Sequence, residues 1–209
     1  MLFDLDGTLT DSQQGIVSSY QHALAAFEID VDAVAIKPWI GPPLGEGFAA
    51  LGVPTAQIPA AVDKYRAHFG EIGIHQNRLY DGVPEMLAEL SQAGLTLGLA
   101  TSKLVDFAER IVAQFTIAEY FEVVAGAARD GSRITKADIV AFALESLGWP
   151  QPGSAALVGD RGDDMRAAVL HGLFPVGVSW GYGDKEELQA SGSQVIIDHP
   201  SAVTGLLTS

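Results

Sequence analysis

Met1-Leu2-Phe3-Asp4-Leu5-Asp6-Gly7-Thr8-Leu9-Thr10-Asp11-Ser12 opens the chain. The run Met1–Leu5 is short and mostly apolar, and acids, glycine and hydroxyls follow it at once. That is how a strand of a covered parallel sheet reads where it gives way to a polar loop. Five further runs share the pattern: Leu95–Ala100, Phe121–Ala125, Ala155–Val158, Phe174–Val178 and Gln194–Ile197. Helix-like stretches lie between them, at Val83–Ala93, Val105–Phe115, Thr135–Leu147, Asp163–His171 and Lys185–Ala190. Gly94, Gly148 and Gly172 follow three of these, where a helix commonly ends on a left-handed residue. The alternation predicts an α/β fold with a doubly wound parallel sheet, Rossmann-like in plan.

One region departs from this rhythm. From Gln13 to Tyr80 the chain reads as helices, at Gly15–Phe27, near Leu44–Leu51 and at Ile58–Phe69, separated by Pro38, Pro42, Pro43, Pro54 and Pro59. The expected organisation is an α/β core from residues 1–12 and 81–209, with a small helical domain, 13–80, inserted after the first strand. Its hinges are expected near Asp11–Gly15 and Tyr80–Pro84.

Composition narrows the function. Hydrophobic residues make up 48% of the 209, which suits a globular chain rather than a disordered one. Lys and Arg number 12 against 26 Asp and Glu, a formal charge of −14. A field of that sign repels nucleic-acid backbones and anionic lipid, so neither nucleic acid nor a membrane is an expected partner. Cysteine is absent, which removes disulfides, thiolate metal sites and thiol nucleophiles. The longest uncharged stretch, Gly47–Val62, holds Pro54 and Pro59 and falls short of the roughly 18 apolar residues of a spanning helix. Asp4 and Asp6 interrupt the N-terminus before any signal-peptide core could form. A soluble, cytoplasmic protein is expected.

Ligands of an open α/β sheet collect beyond the carboxyl ends of its strands. After the first strand come Asp4, Asp6, Gly7, Thr8, Asp11 and Ser12; after the second, Thr101-Ser102-Lys103; after the fourth, Gly159-Asp160-Arg161-Gly162-Asp163-Asp164. Lys136 stands just inside the helix that follows the third. Carboxylates gathered from two strand ends would repel and raise each other's pKa, and a hard cation such as Mg²⁺ relieves this. A lysine at a helix N-terminus opposes the helix dipole, which points to an anionic neighbour. Singly, each cluster has an ordinary reading. Asp and Gly suit turns, Thr101-Ser102 suits an N-cap, Lys136 a solvated helix face, and Asp163 and Asp164 a helix first turn. An EF-hand loop counted from Asp4 would need Gly at 9 and Glu at 15, where Leu9 and Gly15 stand. There is no P-loop, zincin or nucleophile-elbow motif.

Taken together, Phe3–Ser12, Thr101-Ser102-Lys103, Lys136 and Gly159–Asp164 resemble the four motifs of the haloacid dehalogenase-like hydrolase superfamily. The helical insertion is similar to that family's C1-type cap, so the resemblance covers essentially the whole chain. The look is of phosphoglycolate phosphatase-like members. Ile40-Gly41-Pro42-Pro43-Leu44 and Trp180-Gly181-Tyr182-Gly183 resemble a 5′-nucleotidase-like branch.

The resemblance implies a Mg²⁺-dependent phosphomonoesterase acting through an aspartyl-phosphate, with phosphoglycolate or a nucleoside 5′-monophosphate as substrate. It makes Asp4 the nucleophile and Asp6 the general acid and base. Thr101, Ser102 and the Gly7 turn would serve the substrate, and Lys136 would hold Asp4 ionised and neutralise charge. Asp4, the Asp6 carbonyl and Asp160 would bind the metal, with Asp164 orienting its waters. Asp6 argues against a dehalogenase, and Thr8 against the sugar phosphomutases, which tend to carry Val there. A phosphomutase of the same superfamily and a catalytically silent binding protein are the alternatives. Closure of the cap would exclude water, and Trp39 or Phe48 could stack on a base. Family members often form homodimers.

Overall fold

The computed structural model describes residues 1–148, 153 and 155–206. Their contacts divide the chain into two compact units, Met1–Thr10 with Leu79–Ser209, and Asp11–Arg78.

The larger unit is built on a six-stranded parallel sheet. In chain order the strands are β1 (Leu2–Phe3), β2 (Thr10–Asp11), β3 (Arg78–Leu79), β4 (Leu97–Leu104), β5 (Phe121–Ala127), β6 (Ala156–Gly159), β7 (Phe174–Val178) and β8 (Val195–Ile197). The sheet order is β5-β4-β1-β6-β7-β8, while β2 and β3 pair separately as a two-stranded ribbon. Leu2 and Phe3 pair with Gly98 and Leu99 on one side and with Leu157 and Val158 on the other. The first strand is thus central, and the chain winds outward from it in both directions. The topological switch point lies at the carboxyl end of β1, where such sheets bind ligands.

This is the doubly wound sheet expected from the strand–helix alternation. Helices follow the strands: α5 (Val83–Gln92), α6 (Val105–Gln114), α7 (Lys136–Leu147), α8 (Gly162–Leu170), α9 (Lys185–Ala190) and α10 (Ser201–Gly205), numbered after α1–α4 of the smaller unit. Leu2, Ala100, Ala125 and Leu157 of the strands form one buried cluster with Ile139, Val140 and Ala143 of α7 and Ala167 and Ala168 of α8. Two strand ends differ from expectation. β1 stops at Phe3 because the chain turns immediately: the N–H groups of Thr8, Leu9 and Thr10 all donate to the Leu5 carbonyl, at 3.3, 2.9 and 2.9 Å. β4 instead runs on to Leu104, so Thr101-Ser102-Lys103 is strand, and the N-cap reading of Thr101-Ser102 is overturned. Leu104 itself precedes α6.

The smaller unit holds α1 (Gln13–Ala25), α2 (Ala33–Ile36), α3 (Leu44–Ala50) and α4 (Ile58–Glu71). Its core is aromatic: Tyr20 of α1 lies 4.8 Å from Phe48 and 5.0 Å from Tyr65, centroid to centroid. Phe48 is fully buried there, which removes it as a stacking platform for a ligand, whereas Trp39 is half-buried. Among the described residues no helix is long and apolar enough to cross a membrane.

Candidate active site

Asp4 follows β1 directly, and its N–H donates to the Val158 carbonyl at 2.9 Å. This last ladder bond carries the strand direction one residue past Phe3 and buries the Asp4 carboxylate, which is 7% exposed. Asp160 stands at the end of the neighbouring β6 and Asp164 one turn into α8; both are buried. One carboxylate oxygen from each of Asp4, Asp160 and Asp164 lies within 4.8 Å of the others.

Lys136 enters this cluster from α7. Thr135 caps that helix through a reciprocal box with Asp138, which fixes Lys136 as the first helical residue. Its Nζ lies 2.6 Å from Asp4 Oδ1 and 2.7 Å from Asp164 Oδ1, and donates to the Ala100 carbonyl of β4 at 2.8 Å. The solvated-helix reading of Lys136 therefore fails: the ammonium is buried among three acceptors. Burial alone would lower its pKa, but the Asp164 and Asp4 carboxylates outweigh that and raise it above the ordinary lysine value.

The acids' pKa values rise too, which for a carboxyl favours the neutral form rather than the charged one. Burial pushes Asp4 from 3.8 up to about 6, with Lys136 pulling down and Asp164 pushing further up. Asp160 is pushed well above its ordinary value by burial, then by Asp4 and Asp164. Asp164 serves twice, since its Oδ2 also accepts the Arg161 N–H at 3.0 Å at the start of α8. Asp163 points elsewhere, to Arg166 at 2.6 Å on the exposed side of the helix.

Asp160 is gripped from two loops. Thr8 Oγ1 donates to its Oδ1 at 3.2 Å and the Tyr182 N–H to its Oδ2 at 2.8 Å. Glycines make the approach possible. A Cβ on Gly7 would stand 2.2 Å from Asp160 Oδ2, and the residue takes φ +87°; a Cβ on Gly181 would stand 2.3 Å from Asp160 Cβ. Trp180 Nε1 donates to the Thr8 carbonyl at 3.0 Å and ties the two loops together. Sequence reasoning does not place this Trp180–Gly183 clamp in the site, although its two glycines, each beside an aromatic residue, signal close backbone packing.

Asp6 turns from the cluster toward Lys103, whose Nζ lies 2.9 Å from its Oδ2. Asp6 Oδ1 is buried without a hydrogen-bond partner among the described residues. Thr101 is buried one residue beyond Ala100 and accepts the Lys103 N–H on its hydroxyl at 3.2 Å; Ser102 is half-buried beside it. The sheet thus gathers Asp4, Lys136, Asp160 and Asp164 into one cluster and sets Asp6, Gly7, Thr101 and Ser102 at the adjoining strand ends.

The cluster suits a hard divalent cation. Three buried carboxylates face one ammonium, Lys136, while the Asp6 charge is met by Lys103. With all three ionised, two negative charges are left over in a buried site, which a Mg²⁺-sized ion held by the carboxylate oxygens would balance.

A family model described as haloacid dehalogenase-like hydrolase matches residues 1–178. The chain belongs to that family. It is similar to the tyrosine-protein kinase PtkA of Mycobacterium tuberculosis, 42% identical over 207 residues, with 99% of this chain and 70% of that protein covered. It is similar also to a 5′-nucleotidase of Pseudomonas aeruginosa, 39% identical over 192 residues, covering 91% of this chain and 86% of that one. Among solved structures, a predicted phosphatase from Clostridium acetobutylicum superposes with a TM-score of 0.94 at 36% identity, covering 100% and 97% of the two chains.

Proposed function

We propose that this haloacid dehalogenase-like hydrolase is a Mg²⁺-dependent phosphomonoesterase of small metabolites, phosphoglycolate or a nucleoside 5′-monophosphate, working through a phosphorylated Asp4. The observation that carries this is Asp4 at the switch point of the sheet, buried, with Lys136 Nζ at 2.6 Å and two further buried acids beside it. A carboxylate so held is a nucleophile kept ionised by its cation.

In the first half-reaction an Asp4 oxygen bonds to phosphorus and the ester P–O bond breaks. The leaving oxygen keeps the electron pair and takes a proton from Asp6. In the second, water gives a proton to Asp6 as its oxygen bonds to phosphorus and the Asp4–phosphorus bond breaks, releasing phosphate. Lys136 offsets charge on the transferring group, and the Thr101 hydroxyl with the Ser102 N–H binds phosphoryl oxygens. Asp4, Asp160 and the Asp6 carbonyl would hold Mg²⁺, with Asp164 orienting waters. When bound, the ion supplies charge stabilisation that lets an anionic nucleophile meet an anionic ester.

A second reading, transfer to a hydroxyl rather than to water, is favoured by the relative named tyrosine-protein kinase. One experiment separates the two. Phosphate release is followed from phosphoglycolate, nucleoside monophosphates, sugar phosphates and p-nitrophenyl phosphate, with Mg²⁺ or with chelator, beside incubation with γ-labelled ATP and a tyrosine-containing peptide. Mg²⁺-dependent release from an ester supports the phosphatase. Label found on tyrosine, with no ester hydrolysed, supports transfer and overturns it.

A further inference from the structure

Lys103 has no assigned part in the reaction, yet the fold goes to some length to place it. The pairing of β4 with β5 slips between Thr101, opposite Gly126, and Leu104, opposite Ala127. Such an irregularity redirects a side chain next to a site. The displaced backbone is held at both ends of the slip. Thr101 Oγ1 accepts the Lys103 N–H at 3.2 Å, and Gly126 leaves room for the Lys103 carbonyl, which a Cβ there would meet at 2.8 Å.

The result is an ion pair out of solvent. Lys103 Nζ lies 2.9 Å from Asp6 Oδ2, and the two side chains are only 6% and 12% exposed. Withdrawing both charges from water is a poor way to gain stability, because the desolvation cost rivals the attraction. The pair has a geometric consequence instead. With Oδ2 held, turning of the carboxylate is restrained, and Oδ1 is the oxygen left without a partner among the described residues. A buried acceptor without a donor calls for an explanation, and a reacting group is one.

We propose that Lys103 is a positioning residue that aims Asp6, fixing Oδ2 so that Oδ1 is the atom presented to the ester's leaving oxygen. This rests on the phosphatase reading above. Lys103 acts through Asp6 and so matters most where the leaving group needs a proton: an alkyl alkoxide does, p-nitrophenolate does not.

The test compares kcat/KM, which reports the steps up to departure of the leaving group, for an alkyl ester (phosphoglycolate or adenosine 5′-monophosphate) and for p-nitrophenyl phosphate. Lys103→Met should lower the alkyl value about 100-fold, the scale of positioned proton transfer, and the aryl value at least tenfold less. Lys103→Arg, which restores a cation, should recover part of the alkyl rate. Lys103→Gln serves in the same comparison should the Met variant fail to fold by circular dichroism. Equal losses on both esters, or none, would overturn the inference while leaving the phosphatase standing. A wild-type protein that cleaves neither ester would overturn the phosphatase reading itself.

Discussion

Lys136 Nζ sits 2.6 Å from Asp4 Oδ1, across 132 positions of sequence, in a setting where both side chains are at most 10% exposed. The capped start of α7 and the end of β1 must meet for this contact to form, so it joins the integrity of the sheet to the chemistry of its rim.

Asp4→Asn removes the nucleophile and one of three crowded carboxylates. Turnover should fall by on the order of 10⁴-fold or more, as for other covalent nucleophiles. Thermal stability should hold, because like-charge repulsion is reduced. Phosphate release and a melting curve check both halves.

Lys136→Met leaves Asp4 and Asp164 buried without their cation. Removing one partner of a buried ion pair costs about 3–5 kcal/mol, so the variant should melt well below the wild type as well as lose turnover. Added Mg²⁺ should return part of the lost stability. A variant with wild-type melting and rate would restore Lys136 to an ordinary helix surface.

The fold class is legible in the chain because the strands of a covered parallel sheet are short apolar runs, and Phe121–Ala125, Phe174–Val178 and Gln194–Ile197 lie where β5, β7 and β8 are found. The gathering of Asp4, Lys136 and Asp160 follows from one rule, that parallel strands place their ends together. What the chain hides is strand order. Lys103 meets Asp6 only because β4 lies beside β1, and no local pattern states that adjacency. The burial of Lys136 is hidden similarly, since it depends on the Ala100 carbonyl of β4 accepting a hydrogen bond from its ammonium. The N-cap reading of Thr101-Ser102 fails for a local reason: the slipped pairing with β5 continues the strand past the point where hydroxyls would ordinarily begin a helix.

Gly181→Ala tests the clamp on Asp160. The new Cβ would stand 2.3 Å from Asp160 Cβ and 2.4 Å from the Gly7 carbonyl, both held in place. The Mg²⁺ concentration for half-maximal activity should rise about 10–100-fold, the usual cost of disturbing the groups that orient a metal ligand. A titration of activity against Mg²⁺ decides it; an unchanged midpoint would free Asp160 from the loop's control.

The raised Asp4 value sets a pH dependence for the metal-free protein. The unfolded carboxyl titrates near 3.8 and the folded one near 6, so the folded state holds the proton more tightly. The stability this contributes is fully present below 3.8 and is lost as pH rises through about 6. In chelator, this group should make the melting temperature fall across that window. Mg²⁺, which takes the place of the proton, should raise the melting temperature more at neutral pH than at pH 5. A Mg²⁺ effect that did not grow with pH would contradict the cluster as the ion's site.

The most direct test of the whole account is a crystal structure of the wild-type protein with Mg²⁺ and beryllium trifluoride, a mimic of a phosphoryl group on a carboxylate. The account requires beryllium bonded to an Asp4 oxygen and one Mg²⁺ shared by Asp4 and Asp160. Beryllium on another residue, or the two acids turned to separate patches of solvent, would contradict it.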